Sequence, residues 1–302
     1  MDKKGSCDII KERDNSGGTI MKYGNLHLHS SQSDGGFRPA HLVRLARALG
    51  YRAIALTDHE TLTGIPELMA AAEVEGLEAM TGVEFCTKYQ GEEIHITGLD
   101  FDPTHPAIVE FSKMVGAGYT ERTRTQYEDM IERGCIPNFP WEELVKYCPR
   151  TDFYCIDHII HALDAAGISP YADQNRIRIA YRQCDPSKLH FVRPSADDTI
   201  KAIRDAGGVA VIAHPHAALF EKGIIEDYLA KGANGIEINH PELSEREEKL
   251  AIHAAMKYNL YCSGGSDHTG PMSACGGDAY AIPAYQGVSE DEFRAIKERR
   301  FG

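Results

Sequence analysis

Short apolar runs separated by amphipathic stretches organise the first third of the chain. The runs YGNLHLH (23–29), AIALTD (53–58), EAMTGVEFC (78–86) and EIHITGLD (93–100) have the length and composition of strands. Between the first two, PAHLVRLARALG (39–50) opens on Pro39, keeps its apolar residues near helical spacing and stops at Gly50. IPELMAAAEVEG (65–76) does the same between the second and third. Strand, helix, strand, helix in this rhythm predicts parallel strands joined by right-handed crossovers.

The rhythm breaks after Pro103. Up to Ser195 the chain is dense in Arg, Tyr and Glu, with helical patterns at 106–134, 140–148, 153–167 and 170–183 and no strand pattern. The alternation returns in GGVAVIAHP (207–215), GANGIEINH (232–240) and NLYCSGGSDH (259–268). Seven strands result, one short of the usual eight-stranded α/β barrel. The expected organisation is a leader over 1–20, a barrel built from 21–102 and 196–302, and an inserted helical subdomain over 103–195.

Composition narrows the function classes. A chain of 302 residues, 42% hydrophobic, has material for a large core. Its formal charge of −13 argues against coating duplex nucleic acid or an anionic membrane, though not against a nucleotide in a locally positive pocket. No apolar segment approaches the roughly 20 residues of a membrane helix, and the first residues lack a signal-peptide core, which points to a cytoplasmic protein. The 8 cysteines are scattered without a Cys-x-x-Cys pair and read as reduced, mostly buried thiols.

The chemistry gathers where strands end. His27 and His29 close the first, Asp58 and His59 the second, Glu84 lies on the third and His95 on the fourth, His214 ends the fifth, and Asp267 with His268 the last. A strand's period of two puts His27 and His29 on one face, able to share an ion. Singly, each has a plain structural reading: Asp58 a helix cap, Glu84 an ion-pair partner, His95 a core histidine. On one rim, so many ionisable groups would desolvate or repel one another without cations, so together they point to metal ligation.

HLHSSQSDG, LTDHETLTGI, TGVEF, IHITGLD, VIAHP and GGSDH, in that order, resemble the successive motifs of the polymerase and histidinol phosphatase (PHP) family of metal-dependent phosphoesterases, most nearly its small stand-alone nucleotide phosphatases. The resemblance runs from residue 23 to about 283. It implies a distorted seven-stranded (β/α)7 TIM-like barrel and two or three divalent ions. It assigns His27, His29, Glu84 and Asp267 to a first metal; Glu84, bridging, with His95 and His214 to a second; and Asp34, His59 and His268 to a third, with Asp58 orienting its neighbours. Mixed imidazole and carboxylate ligation suits manganese, zinc or iron better than magnesium or calcium. The family usually separates the last Asp and His by one residue, whereas Asp267 and His268 are adjacent, so His268 needs a turn at Asp267 to reach the site.

The reaction so implied is in-line phosphoester hydrolysis by a hydroxide between metals, without a phosphoenzyme. A cationic clamp would hold the phosphate: Arg122 and Arg193 are preferred, Arg124 is a further candidate, and His158 is a candidate phosphate contact or proton donor. Tyr119, Tyr127, Phe153 and Tyr154 could stack a base. The expected substrate is a small nucleotide, such as the 3′-phosphate of a 3′,5′-nucleotide bisphosphate, with no duplex nucleic acid, membrane or obligate protein partner. Alternatives are a 5′-3′ exonuclease on short RNA or DNA, a histidinol phosphatase-like activity and a non-catalytic metal-binding module.

Overall fold

The computed structural model describes residues 22–270 and 286–301; the expected leader, 1–20, lies outside them. The N-terminal part alternates as the pattern predicts: β1 (Gly24–Asn25), α1 (Pro39–Ala48), β2 (Ala53–Ala55), α2 (Ile65–Glu75) and β3 (Glu78–Met80). Helix α1 starts on Pro39 and buries Leu42, Val43 and Ala46, one face of its turns. Helix α2 ends on Gly76, whose φ of 68° is a left-handed conformation that glycine adopts without the Cβ penalty. The three strands pair in parallel in the order β1-β2-β3.

The expected third strand is two. Pairing with β2 stops at Met80, and β4 (Gly82–Tyr89) begins a second sheet with β5 (Glu92–Leu99), β6 (Val209–Ile212), β7 (Gly235–Asn239) and β8 (Tyr261–Gly264), in the order β4-β5-β6-β7-β8. The expectation of parallel pairing throughout is corrected here, because β5 runs antiparallel to both β4 and β6. The cause is the connection. Gln90 and Gly91 have φ of 50° and 86°, the signature of a two-residue hairpin turn, which reverses the chain and leaves no room for a crossover helix.

The two sheets meet again beyond β1 and β8. Leu26 N–H donates to Gly264 O at 3.1 Å, Asp267 N–H to His27 O at 2.9 Å and His29 N–H to His268 O at 3.1 Å. A Cβ on Gly265 would lie 2.3 Å from the His27 Cβ, so only glycine permits this approach. Residues far apart in sequence are thus locked side by side at the strand ends.

Between β5 and β6 the chain is helical: α3 (Pro106–Glu132), α4 (Trp141–Leu144), α5 (Ile156–Ala165), α6 (Gln174–Arg182) and then α7 (Ala196–Asp205). Tyr127, Met130, Leu144, Ile159, Ile160, Leu163 and Ile177 form an apolar cluster of their own. The segment docks on the loops after β1 and β2 by hydrogen bonds: Thr151 Oγ1 donates to Gln32 O at 2.8 Å, Cys155 Sγ contacts Ser33 O at 3.5 Å, and, in the second loop, Thr61 bonds Asp152. Helices α8 (Ala217–Glu221), α9 (Ile224–Ala230), α10 (Glu245–Tyr258) and α11 (Glu290–Lys297) complete the described chain. Among the described residues, no helix is long and apolar enough to cross a membrane.

Candidate metal centre

Glu84 stands in the middle of the strand-end residues, 1% exposed, and its two oxygens face different partners. Oε2 lies 3.3 Å from both His27 Nε2 and His29 Nε2, and Asp267 Oδ1 closes the group at 2.9 Å from His29 Nε2 and 3.6 Å from His27 Nε2. Oε1 lies 3.1 Å from His95 Nδ1 and 3.2 Å from His214 Nε2. Ligands about 2.0–2.1 Å from a tetrahedral ion are about 3.3–3.4 Å from one another, so these spacings fit metal-binding donor sets. A carboxylate facing two such sets can bridge two ions.

The chemistry of the donors agrees. His27 Nε2 and both ring nitrogens of His29 are buried without a hydrogen-bond partner, which a native interior does not leave uncompensated. Burial alone would keep His27 neutral, yet Glu84, Glu237 and Asp267 raise its pKa well above the ordinary value. Conversely, Glu84 is held well below the carboxylate range, against its own burial, by His27, His95 and His59. Carboxylates that draw protons this strongly onto buried imidazoles would accept cations in their place.

Two functional residues were missed by the sequence reading. Glu237, on β7, accepts from His27 Nδ1 at 3.1 Å and from the His214 backbone N–H at 2.9 Å; this sets the His27 tautomer and leaves Nε2 a free lone pair. His240 accepts the Glu242 backbone N–H on Nδ1 at 3.1 Å and presents Nε2 to Asp267 Oδ2 at 3.4 Å. It is placed to steady Asp267. The signal lay in GIEINH, another strand end carrying an acid and a histidine.

Asp34 lies 3.3 Å from His29 Nδ1 and 4.0 Å from His59 Nε2, and these three form a further converging set. His268 does not join them among the described residues; the chain does turn at Asp267, with φ of 48°, but the turn lays the His268 ring over Phe37. Asp58 accepts from Ser30 N–H at 2.6 Å, Ser30 Oγ at 2.7 Å and Ser33 Oγ at 2.6 Å, which fixes the loop that carries Asp34. Glu60, His214 and Asp267 have positive φ of 59°, 27° and 48°. Such strained backbone costs on the order of 1–3 kcal/mol each and gathers at functional sites.

The clamp candidates separate. Arg193 pairs with Glu93, which lies 3.5 Å from His95 Nε2, and with Arg122, Lys88 and Phe191 it lines a cavity of about 610 Å3. Arg122 makes no ion pair among the described residues, whereas Arg124 is bound to Glu128 at 2.7 Å and Glu142 at 3.2 Å on the exposed surface. His158 is not free to meet phosphate. Its Nδ1 accepts the Cys155 N–H at 3.1 Å and its Nε2 faces Ser31 O at 3.3 Å, while burial lowers its pKa to about 4. Of the aromatics, Tyr127 and Phe153 are core; Tyr119 packs at a tilt against the cavity-lining Phe191, with ring centroids 4.7 Å apart, and Tyr154 packs edge-on against Trp141 and His158.

A sequence profile of the PHP domain matches residues 25–178. A 5′-3′ exoribonuclease of Haemophilus influenzae is 31% identical over 257 residues, which cover 82% of this chain and 90% of that protein. A 3′,5′-nucleoside bisphosphate phosphatase of Chromobacterium violaceum is also 31% identical over 257 residues, 82% of this chain and 87% of the relative. A solved structure from Bifidobacterium adolescentis, named as a metal-dependent phosphoesterase, superposes with a TM-score of 0.77 at 26% identity, over 92% of this chain and 96% of its own.

Proposed function

Because the chain belongs to the PHP family, we propose that it is a metal-dependent phosphoric monoester hydrolase that removes a phosphate from a small nucleotide, with a 3′,5′-nucleoside bisphosphate as first candidate. The observation that carries this reading is Glu84, whose two oxygens face separate groups of imidazoles, Oε2 those of His27, His29 and His59 and Oε1 those of His95 and His214. On it, His27, His29, Glu84 and Asp267 would hold one ion, and Glu84, His95 and His214 a second; Asp34 and His59 are the donors for a third. Manganese, zinc and iron suit these donors. Divalent ions bound there would supply an acidified water and neutralise charge on the phosphoryl oxygens.

The chain's own residues do the positioning. Glu237 keeps the Nδ1 proton of His27, His240 steadies Asp267, and Asp58 fixes the Ser30–Ser33 turn. Arg122 and Arg193 anchor the substrate's second phosphate in the cavity beside His95. In this reading β3 and β4 count as one bent strand, the β1–β8 hydrogen bonds are the seam of a seven-stranded barrel, and 103–195 is an insertion that roofs the site. The roof favours a small phosphomonoester or a chain end over internal cleavage.

The Haemophilus relative's name favours a second reading, stepwise removal of 5′ nucleotides from short RNA. Phosphate release from a panel of nucleotides, including 3′,5′-bisphosphates, by manganese-loaded protein tests the first; product lengths from a labelled oligonucleotide test the second. Release from the bisphosphate, lost in folded His29→Ala and Glu84→Ala variants, supports the phosphatase. Mononucleotide products with no release from free nucleotides would replace it with the nuclease.

A further inference from the structure

Cys86 follows Glu84 by two on β4, so its side chain lies on the same face. The antiparallel register sets it directly opposite His95. The hairpin that reverses β5 therefore brings a thiol into the midst of the imidazoles: Sγ is 3.3 Å from His95 Nε2 and 3.6 Å from His59 Nδ1. Neither the family resemblance nor the strand-end pattern uses this residue.

These distances have a simple chemical meaning. A tetrahedral ion about 2.3 Å from sulfur and about 2.0–2.1 Å from nitrogen holds the two donors about 3.5 Å apart. His59, Cys86 and His95 form one converging donor set with that spacing. Cys86 is also fixed from behind, where its backbone N–H donates to Glu60 Oε1 at 2.8 Å. His95 turns Nδ1 to Glu84 and Nε2 to Cys86, so it stands between an oxygen-containing set and a sulfur-containing one. A neutral imidazole offers one lone pair. An ion held by His95 therefore chooses between these two environments.

We propose that the Cys86 thiolate is a ligand of the metal centre, forming with His59 and His95 a position selective for thiophilic ions such as zinc over manganese. The inference rests on the metal-centre reading; because His59 and His95 each offer one lone pair, this position forms in place of their coordination in the Asp34 and Glu84 sets, not alongside it. On binding, the metal–sulfur bond forms as the S–H proton passes to solvent, with no change of oxidation state. Soft thiolate favours zinc and cobalt, whereas manganese is best served by oxygen donors. The centre would then discriminate between ions by which face of His95 they occupy.

The test is cobalt(II) titration of the metal-stripped full chain, read by near-ultraviolet absorption and by bound cobalt per chain. Wild type should show a sulfur-to-cobalt charge-transfer band that is lost in Cys86→Ser and in Cys86→Ala and retained in Cys148→Ser, all checked for folding by circular dichroism. In zinc and manganese competition, Cys86→Ser should lose at least the roughly 10–100-fold in zinc affinity that even outer partners are worth. Manganese affinity should stay within about twofold. Cobalt bound by wild type without the band, or a band that survives both Cys86 substitutions, would overturn the proposal and leave the metal centre standing. Failure to bind cobalt at all would overturn both.

Discussion

His27 and His29, at the end of β1, and His158, at the start of α5, are equally deep in the protein but electrostatically opposite. Four carboxylates within 4 Å surround the first two, whose pKa values are driven up, and three of their ring nitrogens meet no hydrogen-bond partner. His158 meets only main-chain groups and a thiol, both its nitrogens have partners, and burial drives its pKa down to about 4. A buried histidine with open valence is built for something that arrives later. One with closed valence is part of the frame.

Breaking the open-valence cluster should have the largest effect. Glu84→Gln keeps the side chain's shape but removes the charge shared by both donor sets. Phosphate release should fall by more than the roughly 10–100-fold typical of an outer partner, with a matching loss of metal measured by elemental analysis. Unchanged metal content would mean that Glu84 is a structural ion-pair partner after all. Glu237→Gln should cost less, about 10–100-fold in metal affinity, and excess metal should restore much of the rate, because the amide keeps one acceptor oxygen for His27 Nδ1 and gives up the charge and the second oxygen that accepts the His214 N–H. A rate loss that no metal concentration repairs would contradict that role.

How much of this could be read from the chain depends on the kind of partner each residue has. Apolar runs and Pro or Gly stops placed most strands and helices, because burial and capping are local properties of the sequence. Strand direction is legible from spacing instead of pattern: the six residues between the runs at 78–86 and 93–100 cannot hold a crossover helix. Glu237 and His240 obeyed the strand-end rule that exposed the other acids and histidines. Cys86 closes the run at 78–86, yet a thiol there reads as one buried cysteine among eight, and only its register opposite His95 distinguishes it. The closed valence of His158 was invisible because its oxygen partner is the carbonyl of Ser31, 127 positions away, and every residue has a carbonyl.

The closed-valence side is sharpened by pH. His158 has a folded pKa of about 4 against 6.5 when unfolded, so between these values the unfolded chain binds the extra proton. Its contribution to stability is present above about pH 6.5 and is lost as pH falls towards 4. Between pH 8 and pH 5 the loss amounts to about 2 kcal/mol. Urea unfolding at both pH values should show this slope in wild type and a shallower one in His158→Gln. Equal slopes would mean that His158 titrates freely, returning it to the list of proton donors.

The smallest effects come from carrying the contrast to two arginines on one helix. Arg122 lines the cavity with no ion pair among the described residues, while Arg124, two positions on, is held by Glu128 and Glu142 at the surface. If Arg122 is a cation awaiting a phosphate, Arg122→Ala removes a charge-assisted hydrogen bond and should raise KM for the nucleotide about tenfold, with kcat nearly unchanged. Arg124→Ala removes only an exposed i,i+4 pair and its neighbour, and should alter stability by no more than about 0.5 kcal/mol and KM not at all. The pair of variants is more informative than either alone. A KM that rises equally in both would mean that the substrate feels the net charge of α3 as a whole, and that Arg122 has no particular place in the site.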